Sequence, residues 1–247
     1  MIPHHVVTGD GPPLVLSNSL GTNLYLWEDQ VPALAEHFTL IRYDTRGHGG
    51  SDTPPGPYTL DDLGQDVIDL LDHLEIARAH VAGISLGGMT AMWLGIHAPE
   101  RVEKLALLCT SPRMGPPEMW RDRAALVREQ GTEAIVDTTL QRWLTDAYDD
   151  QHAINWLRES FIAIDDEGYA NCCHVIEHMD LMPNLDGISA PTLVIGGAKD
   201  PATPPDEHAK KIVEGIPGAR LEILDGAHLI NVECSDDVVR LLLEHLR

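Results

Sequence analysis

The chain has 247 residues, of which 43% are apolar, so it is long enough to bury one sizeable core. Its 39 acidic and 17 basic side chains give a formal charge of −22, which excludes nucleic acids and anionic membrane surfaces as expected partners. No window reaches the ~18 apolar residues that a membrane span needs. Residues 1–5 do not resemble a secretory signal and the four cysteines form no C-x-x-C pair, so we expect a cytoplasmic protein.

The first part of the chain alternates short apolar segments with amphipathic ones. The alternation predicts strands over residues 13–18, 39–44, 79–82 and 104–109. It predicts helices over residues 27–37, 60–74 and 89–97. Strands that alternate with helices indicate an α/β fold in which a mostly parallel, doubly wound sheet is covered on both faces.

The alternation stops between residues 112 and 183. Four helices are predicted there, over residues 118–130, 133–145, 151–164 and 169–179, and no β-branched strand separates them. We expect this segment to form a helical cap over the strand ends, because both of its ends are anchored in the same sheet. Residues 1–111 and 184–247 then form the core of the domain.

The alternation resumes after the cap. A strand is predicted over residues 192–197, a helix after Pro204-Pro205, a second strand over residues 220–224 and a final helix over residues 236–246. Ligands of such open parallel sheets bind at the carboxyl ends of the strands. Candidate functional residues are therefore sought directly after strands.

Gly83-Ile84-Ser85-Leu86-Gly87 lies between a predicted strand and a predicted helix. A strand that passes into a helix through one residue forces that residue into a strained conformation and lifts its side chain above the sheet. The glycines are expected because a Cβ at either position would clash. The pattern predicts that Ser85 is a nucleophile, although Gly-rich strand-to-helix turns also occur in nucleotide-binding folds.

Asp200 and His228 follow the last two predicted strands. A serine nucleophile needs a base, usually a histidine oriented by a carboxylate. The chain order Ser85, Asp200, His228 is the order that G-x-S-x-G hydrolases use. Asp200 alone could be a turn residue before proline and His228 a loop histidine, but their shared position at strand ends favours a catalytic triad. We interpret His48, in a Gly-rich loop, as structural.

A serine hydrolase also needs backbone N–H donors for the oxyanion that forms during attack. The N–H of Leu86, directly after the nucleophile, is one candidate. The second is expected in the loop after the first predicted strand, where Asn18-Ser19-Leu20-Gly21 stands in place of a His-Gly-x-Gly motif. Leu20 is the candidate there, and its side chain is also expected to line the pocket.

Several segments resemble the 3-oxoadipate enol-lactonases of the α/β-hydrolase superfamily. The resemblance lies in residues 16–22 (LSNSLGT), 42–49 (RYDTRGHG), 54–58 (PPGPY) and 200–205 (DPATPP). It places the family's triad on Ser85, Asp200 and His228. Leu86 stands where this family commonly has methionine, a volume-conserving difference.

The resemblance implies hydrolysis of the enol-lactone of 3-oxoadipate in aromatic catabolism, the β-ketoadipate pathway, with no metal or organic cofactor. The expected partner is thus a small anionic lactone. Arg142 and Trp143 in the cap are the predicted substrate-binding residues, although Trp143 could be a core aromatic and Arg142 a surface charge. His174 and His178, an i, i+4 pair, offer no third matched metal ligand.

Two alternatives stay open. One is a carboxylesterase or other small-lactone hydrolase on the same fold, which would differ in its cap residues. The other is a non-catalytic hydrolase-like ligand-binding module, against which a complete triad argues. The oligomeric state does not follow from the sequence.

Overall fold

The structure, a computed structural model, describes residues 1–247 and contains one seven-stranded sheet. The strands occur in the spatial order β1-β3-β2-β4-β5-β6-β7, and all neighbours pair in parallel except β1 with β3. In chain order the strands are β1 His5–Thr8, β2 Pro13–Ser17, β3 Thr39–Tyr43, β4 Ala79–Ile84, β5 Val102–Leu108, β6 Thr192–Gly197 and β7 Arg220–Leu224. The expected α/β fold with a mostly parallel sheet is confirmed.

Ten α-helices and four 3-10 helices accompany the sheet. The α-helices are α1 Val31–Leu34, α2 Leu60–His73, α3 Leu86–His97, α4 Pro117–Gln130, α5 Val136–Trp143, α6 Gln151–Ile162, α7 Asp166–His178, α8 Ala209–Gly215, α9 Ile230–Glu233 and α10 Ser235–Leu246. The 3-10 helices are Leu24–Gln30, Pro99–Arg101, Thr132–Ile135 and Met182–Gly187.

The central strands explain the position of the core. Every residue of β4 and β6 is buried, as expected for parallel strands covered on both faces. Helix α2 begins with a capping box, in which Thr59 and Asp62 satisfy each other's backbone N–H groups. It packs beside α3, where Gly64 leaves room for the ring of Trp93.

The prediction of one helix over residues 27–37 is wrong. The Asn23 side chain accepts from Tyr25 N–H, so a 3-10 helix begins at Leu24 and runs to Gln30. Pro32 lies in the first turn of α1, where its missing N–H has no cost, and α1 ends at Leu34. Strand β1 was not predicted, because its four residues are only partly buried and owe their conformation to pairing with β3.

Helices α4 to α7 occupy the segment between β5 and β6, where four helices were predicted. The predicted helix 133–145 is divided at Ile135, whose non-helical φ of −119° and ψ of 0° separate the 3-10 helix Thr132–Ile135 from α5. The 3-10 helix Met182–Gly187 spans the expected boundary at residue 183. It packs on the core, since Leu185 lies against Gly215 at the end of α8.

Candidate active site

Ser85 occupies the turn between β4 and α3 with a backbone conformation that few residues adopt. Its φ and ψ are 56° and −118°, in a strained region for a residue with a Cβ. The Ser85 N–H donates to Leu108 O at 2.9 Å, and the Ser85 carbonyl accepts from the Thr110 hydroxyl at 2.7 Å. These bonds to β5 and the residues after it hold the strained turn in place.

The glycines around Ser85 are required by close backbone approach. A Cβ on Gly83 would overlap the carbonyl of Gly87, and a Cβ on Gly87 would overlap the carbonyl of Ser17. The Gly87 N–H donates to Asn18 O at 2.9 Å. The turn at Ser85 is therefore attached directly to the loop that follows β2.

Asp200 and His228 lie together, as their positions after β6 and β7 predicted. His228 Nδ1 donates to Asp200 Oδ2 at 2.8 Å, and both side chains are almost fully buried. This bond leaves His228 Nε2 free to accept a proton. Ser85 and His228 line the same cavity but form no hydrogen bond, and such bonds are often long in enzymes without substrate.

Thr203 completes the surroundings of Asp200 and was missed at the sequence level. Its hydroxyl donates to Asp200 Oδ2 at 2.5 Å and its N–H to Oδ1 at 3.0 Å. Burial by itself would raise the pKa of Asp200, but the charge and hydrogen bond of His228 and the donors of Thr203 outweigh it, so the pKa lies below its ordinary value. Asp200 is thus an ionised hydrogen-bond acceptor for His228.

The loop of His228 is fixed from two sides. Glu233 on α9 accepts the Ala227 N–H at 2.5 Å and the Thr145 N–H at 2.8 Å. The Leu229 N–H donates to the Trp143 carbonyl at 2.9 Å. The residues on either side of His228 are therefore bonded to α9 and to the last residue of α5.

The backbone N–H groups of Leu20 and Leu86 are both unused. Neither N–H donates to any acceptor within the protein. Leu86 is the first residue of α3, where the helix dipole favours negative charge. Leu20 lines the same cavity as Ser85, and Leu86 directly follows Ser85 in the chain.

The cavity at Ser85 has a volume of about 50 Å³ and contains two arginines and no carboxylate. Its lining consists of Ser19, Leu20, Ser85, Trp120, Arg123, Thr139, Arg142, Trp143, Tyr169, Ala202 and His228. Both predicted substrate-binding residues are in this set. Trp143 is buried and packs edge-on against Phe161, whereas Arg142 is largely exposed and has no ion-pair partner.

Trp120 and Arg123 on α4 were not predicted. Arg123 Nε donates to the Tyr169 hydroxyl and its Nη2 to Thr139 Oγ1, both at 2.7 Å, and no carboxylate pairs with it. The indole N–H of Trp120 is buried and has no acceptor within the protein. Their i, i+3 spacing puts both on one face of α4. This spacing is the feature of the sequence from which the two residues could have been predicted to lie together.

His48 is buried beside the loop that contains Leu20, and it bonds two backbone groups. Its Nε2 accepts the Gly21 N–H at 3.1 Å, and its Nδ1 donates to Arg46 O at 3.2 Å. Burial lowers the pKa of His48 to about 4 from an ordinary 6.5. It is therefore neutral at physiological pH and acts as an acceptor.

We expect His48 to make the stability of the fold depend on pH. As pH falls from 6.5 towards 4, the unfolded chain binds a proton at His48 that the native state does not, so stability is lost across that window. At 1.36 kcal/mol per unit of pKa difference, the full loss is about 3 kcal/mol. His48→Gln retains an acceptor without titrating. Denaturant unfolding at about pH 7.5 and pH 5 should show the wild type losing about 2 kcal/mol more than this variant. Parallel losses would show that His48 titrates normally in the folded state.

His174 and His178 lie stacked on α7, with ring centroids 4.0 Å apart. Their Nδ1 atoms bond to the carbonyls of Tyr58 and His174. No group of three or more histidine, cysteine or acidic side chains is arranged to hold a metal ion. None of the helices combines the length and apolar character that crossing a bilayer would require.

A mostly parallel sheet, a serine in a strained strand-to-helix turn and a histidine–aspartate pair at neighbouring strand ends define the α/β-hydrolase class. The family described as the alpha/beta hydrolase fold matches residues 12–161. The chain belongs to this family, as the resemblance of its motifs predicted.

Within the family the chain is similar to enol-lactonases. It is 44% identical to 3-oxoadipate enol-lactonase 2 of Acinetobacter baylyi, over 91% of this chain and 84% of that protein. The crystal structure of the enol-lactonase from Burkholderia xenovorans LB400 superimposes with a TM-score of 0.96 at 41% identity, covering 98% of this chain and 95% of that one. A malate-bound esterase from Thermogutta terrifontis gives a TM-score of 0.94 at 26% identity, covering 99% and 92%.

Proposed function

We propose that this protein hydrolyses the enol-lactone of 3-oxoadipate to 3-oxoadipate, with Ser85 as nucleophile, His228 as base and Asp200 as its orienting acid. Similarity to enol-lactonases over nearly the whole chain supports the substrate. We assign the reaction to the β-ketoadipate pathway of aromatic catabolism and to the cytoplasm. The observation that carries the proposal is a cavity at Ser85 whose only permanently charged side chains are two arginines.

The charge that lines this cavity is positive, whereas the protein as a whole is strongly acidic. The chain has 39 acidic side chains against 17 basic ones, yet none of the acids lines this cavity. Long-range repulsion of an anion is screened beyond ~8 Å at physiological salt, so local groups decide recognition. Arg123 and Arg142 lack carboxylate partners, and the Trp120 N–H lacks an acceptor. These are the donors that the acetate arm of the enol-lactone needs.

The proposed reaction has two halves. Ser85 Oγ attacks the lactone carbonyl carbon while its proton passes to His228 Nε2, and the oxyanion is bound by the N–H groups of Leu20 and Leu86. Collapse breaks the ring C–O bond and expels an enolate, which takes the proton held by His228 and becomes the ketone. Water, deprotonated by the now neutral His228, then attacks the acyl-enzyme; the bond to Ser85 Oγ breaks, Oγ takes the proton back from His228, and 3-oxoadipate is released. Asp200 stabilises the imidazolium in both halves through the 2.8 Å bond.

Arg123 provides the sharpest test of substrate choice. Because a hydrogen bond to a charged group contributes about 1.5–3 kcal/mol, Arg123→Met should raise KM for the enol-lactone roughly tenfold or more. Hydrolysis of neutral p-nitrophenyl acetate should change less than about threefold. Steady-state kinetics on both substrates check this. The matched control is Arg121→Met on the same helix, where the arginine is exposed and pairs with Glu177 outside the cavity.

Equal losses on both substrates would contradict recognition by Arg123. They would mean that its bonds to Tyr169 and Thr139 hold the cap together instead. The same assay separates the carboxylesterase alternative, which the esterase similarity keeps open. A general esterase would prefer the neutral ester and would tolerate Arg123→Met.

A further inference from the structure

Thr22 is a fully buried residue whose hydroxyl and backbone N–H both donate to the same peptide group. Its side-chain hydroxyl donates to Ser19 O at 2.8 Å, and its own N–H donates to the same oxygen at 3.2 Å. Only 1% of Thr22 is exposed. It does not line the cavity at Ser85, so it cannot contact a substrate there.

The peptide that Thr22 holds carries the oxyanion donor. Ser19 O and the Leu20 N–H belong to the same planar, trans peptide group, in which C=O and N–H point in opposite directions. Fixing the oxygen with two donors therefore fixes the direction of the N–H. Hydrogen bonds to a carbonyl also polarise the amide, which strengthens its N–H as a donor by about 10–30% per bond.

The neighbouring peptides are held as well. The carbonyl of Asn18 accepts the Gly87 N–H at 2.9 Å, next to the nucleophile. On the other side, the Gly21 N–H donates to His48 Nε2 at 3.1 Å. The Leu20 N–H lies between these two fixed points and has no acceptor within the protein.

We propose that Thr22 is a positioning residue of the oxyanion hole, which aims the Leu20 N–H at the oxyanion by holding the Ser19 carbonyl. This inference depends on the proposed function in one respect, the assignment of Leu20 N–H as an oxyanion donor. Positioning by Thr22 affects the rate of acyl transfer and not which ester the enzyme prefers. It therefore extends to any ester that the enzyme accepts.

The test compares Thr22→Val, which keeps the shape and removes the hydroxyl, with Thr22→Ser, which keeps the hydroxyl. Loss of a complete oxyanion donor costs ~10²–10³-fold in turnover, and a misdirected donor should cost less. For Thr22→Val we expect kcat to fall about tenfold on both p-nitrophenyl acetate and the enol-lactone, with KM within about twofold. Thr22→Ser should restore kcat to within about threefold of the wild type. The control is Thr138→Val, whose hydroxyl also bonds a backbone carbonyl, that of Ile135, on the exposed side of the cap.

The affinity for an inhibitor that forms a tetrahedral adduct with Ser85 is a second readout, and it does not depend on the stability of the fold. A trifluoromethyl ketone should bind Thr22→Val about tenfold more weakly than the wild type, whereas the product 3-oxoadipate should bind equally well. Thermal unfolding of each variant accompanies the kinetics. Should Thr22→Val fail to fold, Thr22→Cys, with a weakly donating thiol, replaces it, and kcat between those of Thr22→Ser and a full donor loss is expected.

The outcomes separate the inference from the proposed function. Wild-type kcat in Thr22→Val, or equal losses in the valine and serine variants, would overturn the positioning role and leave the substrate assignment intact. A wild type that ignores the enol-lactone, but whose aryl-ester kcat falls in Thr22→Val and recovers in Thr22→Ser, would overturn the substrate assignment alone. A wild type inert towards both substrates would overturn both.

Discussion

Replacing Ser85 by alanine is expected to lower kcat by roughly 10⁵–10⁶-fold while leaving the fold intact. The substitution removes the nucleophile and keeps the Cβ, so the strained turn retains its steric environment. No hydrogen bond within the protein is lost, because Ser85 is held by its backbone N–H and carbonyl. The oxyanion donors survive, and they can sustain ~10³-fold catalysis over water. Enol-lactone turnover measures the expected loss of activity, and the thermal unfolding midpoint shows whether the fold is intact.

A serine-reactive phosphonate supplies the control for that experiment. It should label the wild type at Ser85 and leave Ser85→Ala unlabelled. Residual activity above a few per cent of the wild-type rate would contradict a covalent mechanism at this residue. Labelling at another serine would mean that the nucleophile lies elsewhere.

Replacing Asp200 by asparagine is expected to lower kcat by about 10⁴-fold. In the wild type, Oδ1 accepts the N–H groups of Ala202 and Thr203, so the asparagine oxygen should take that position. Its NH₂ group then faces His228 Nδ1 and donates to it. The ring proton is forced onto Nε2, which can no longer accept the proton of Ser85.

Asp225→Asn is the matched control for this substitution. Asp225 lies three residues before His228, on the surface, and pairs with Lys199 at 2.8 Å. Exposed pairs of this kind contribute little, so the variant should keep wild-type activity. Steady-state kinetics of both variants between about pH 6 and pH 9 check the prediction. Loss of activity in Asp225→Asn together with retention in Asp200→Asn would contradict this account, because it would mean that Asp225 and not Asp200 orients His228.

The proximity of Ser85, Asp200 and His228 could be predicted from the sequence because the topology of the sheet determines it. Parallel strands end at one edge of a sheet, so residues directly after β4, β6 and β7 must lie near one another. Asp200 and His228 follow their strands by only a few residues, which left little freedom for error. Leu20 was predicted differently, from a loop that stands in place of a His-Gly-x-Gly motif, and β2 before that loop is the neighbour of β4.

The cap residues were less accessible for a physical reason. Which face of a helix meets the cavity depends on packing between helices, and α4 carries charged side chains on several faces around its one aromatic residue, Trp120. Trp120 and Arg123 face the cavity, whereas Arg121 between them pairs with Glu177. Their shared face follows from spacing, but its direction required the packing of α4 against α7.

The contacts of His48 and Thr22 with the loop after β2 could not be predicted from the sequence for another reason. His48 and Gly21 are far apart in the chain and meet only because β2 and β3 are neighbours in the sheet. A buried neutral histidine cannot be told from an exposed one by its sequence context. The role of Thr22 likewise depends on a turn geometry that the residues 18–22 alone do not specify.

The most direct test of the central claim is hydrolysis of the enol-lactone by the purified protein, compared with that of its neutral methyl ester. If Ser85 attacks a lactone whose carboxylate is bound by the arginine-lined cavity, kcat/KM for the enol-lactone should fall in the ~10⁴–10⁸ M⁻¹s⁻¹ range of natural substrates. The methyl ester, which lacks the charge, should be at least roughly tenfold poorer. Enol-lactone opening no faster than the spontaneous reaction, or a preference for the methyl ester, would contradict the account.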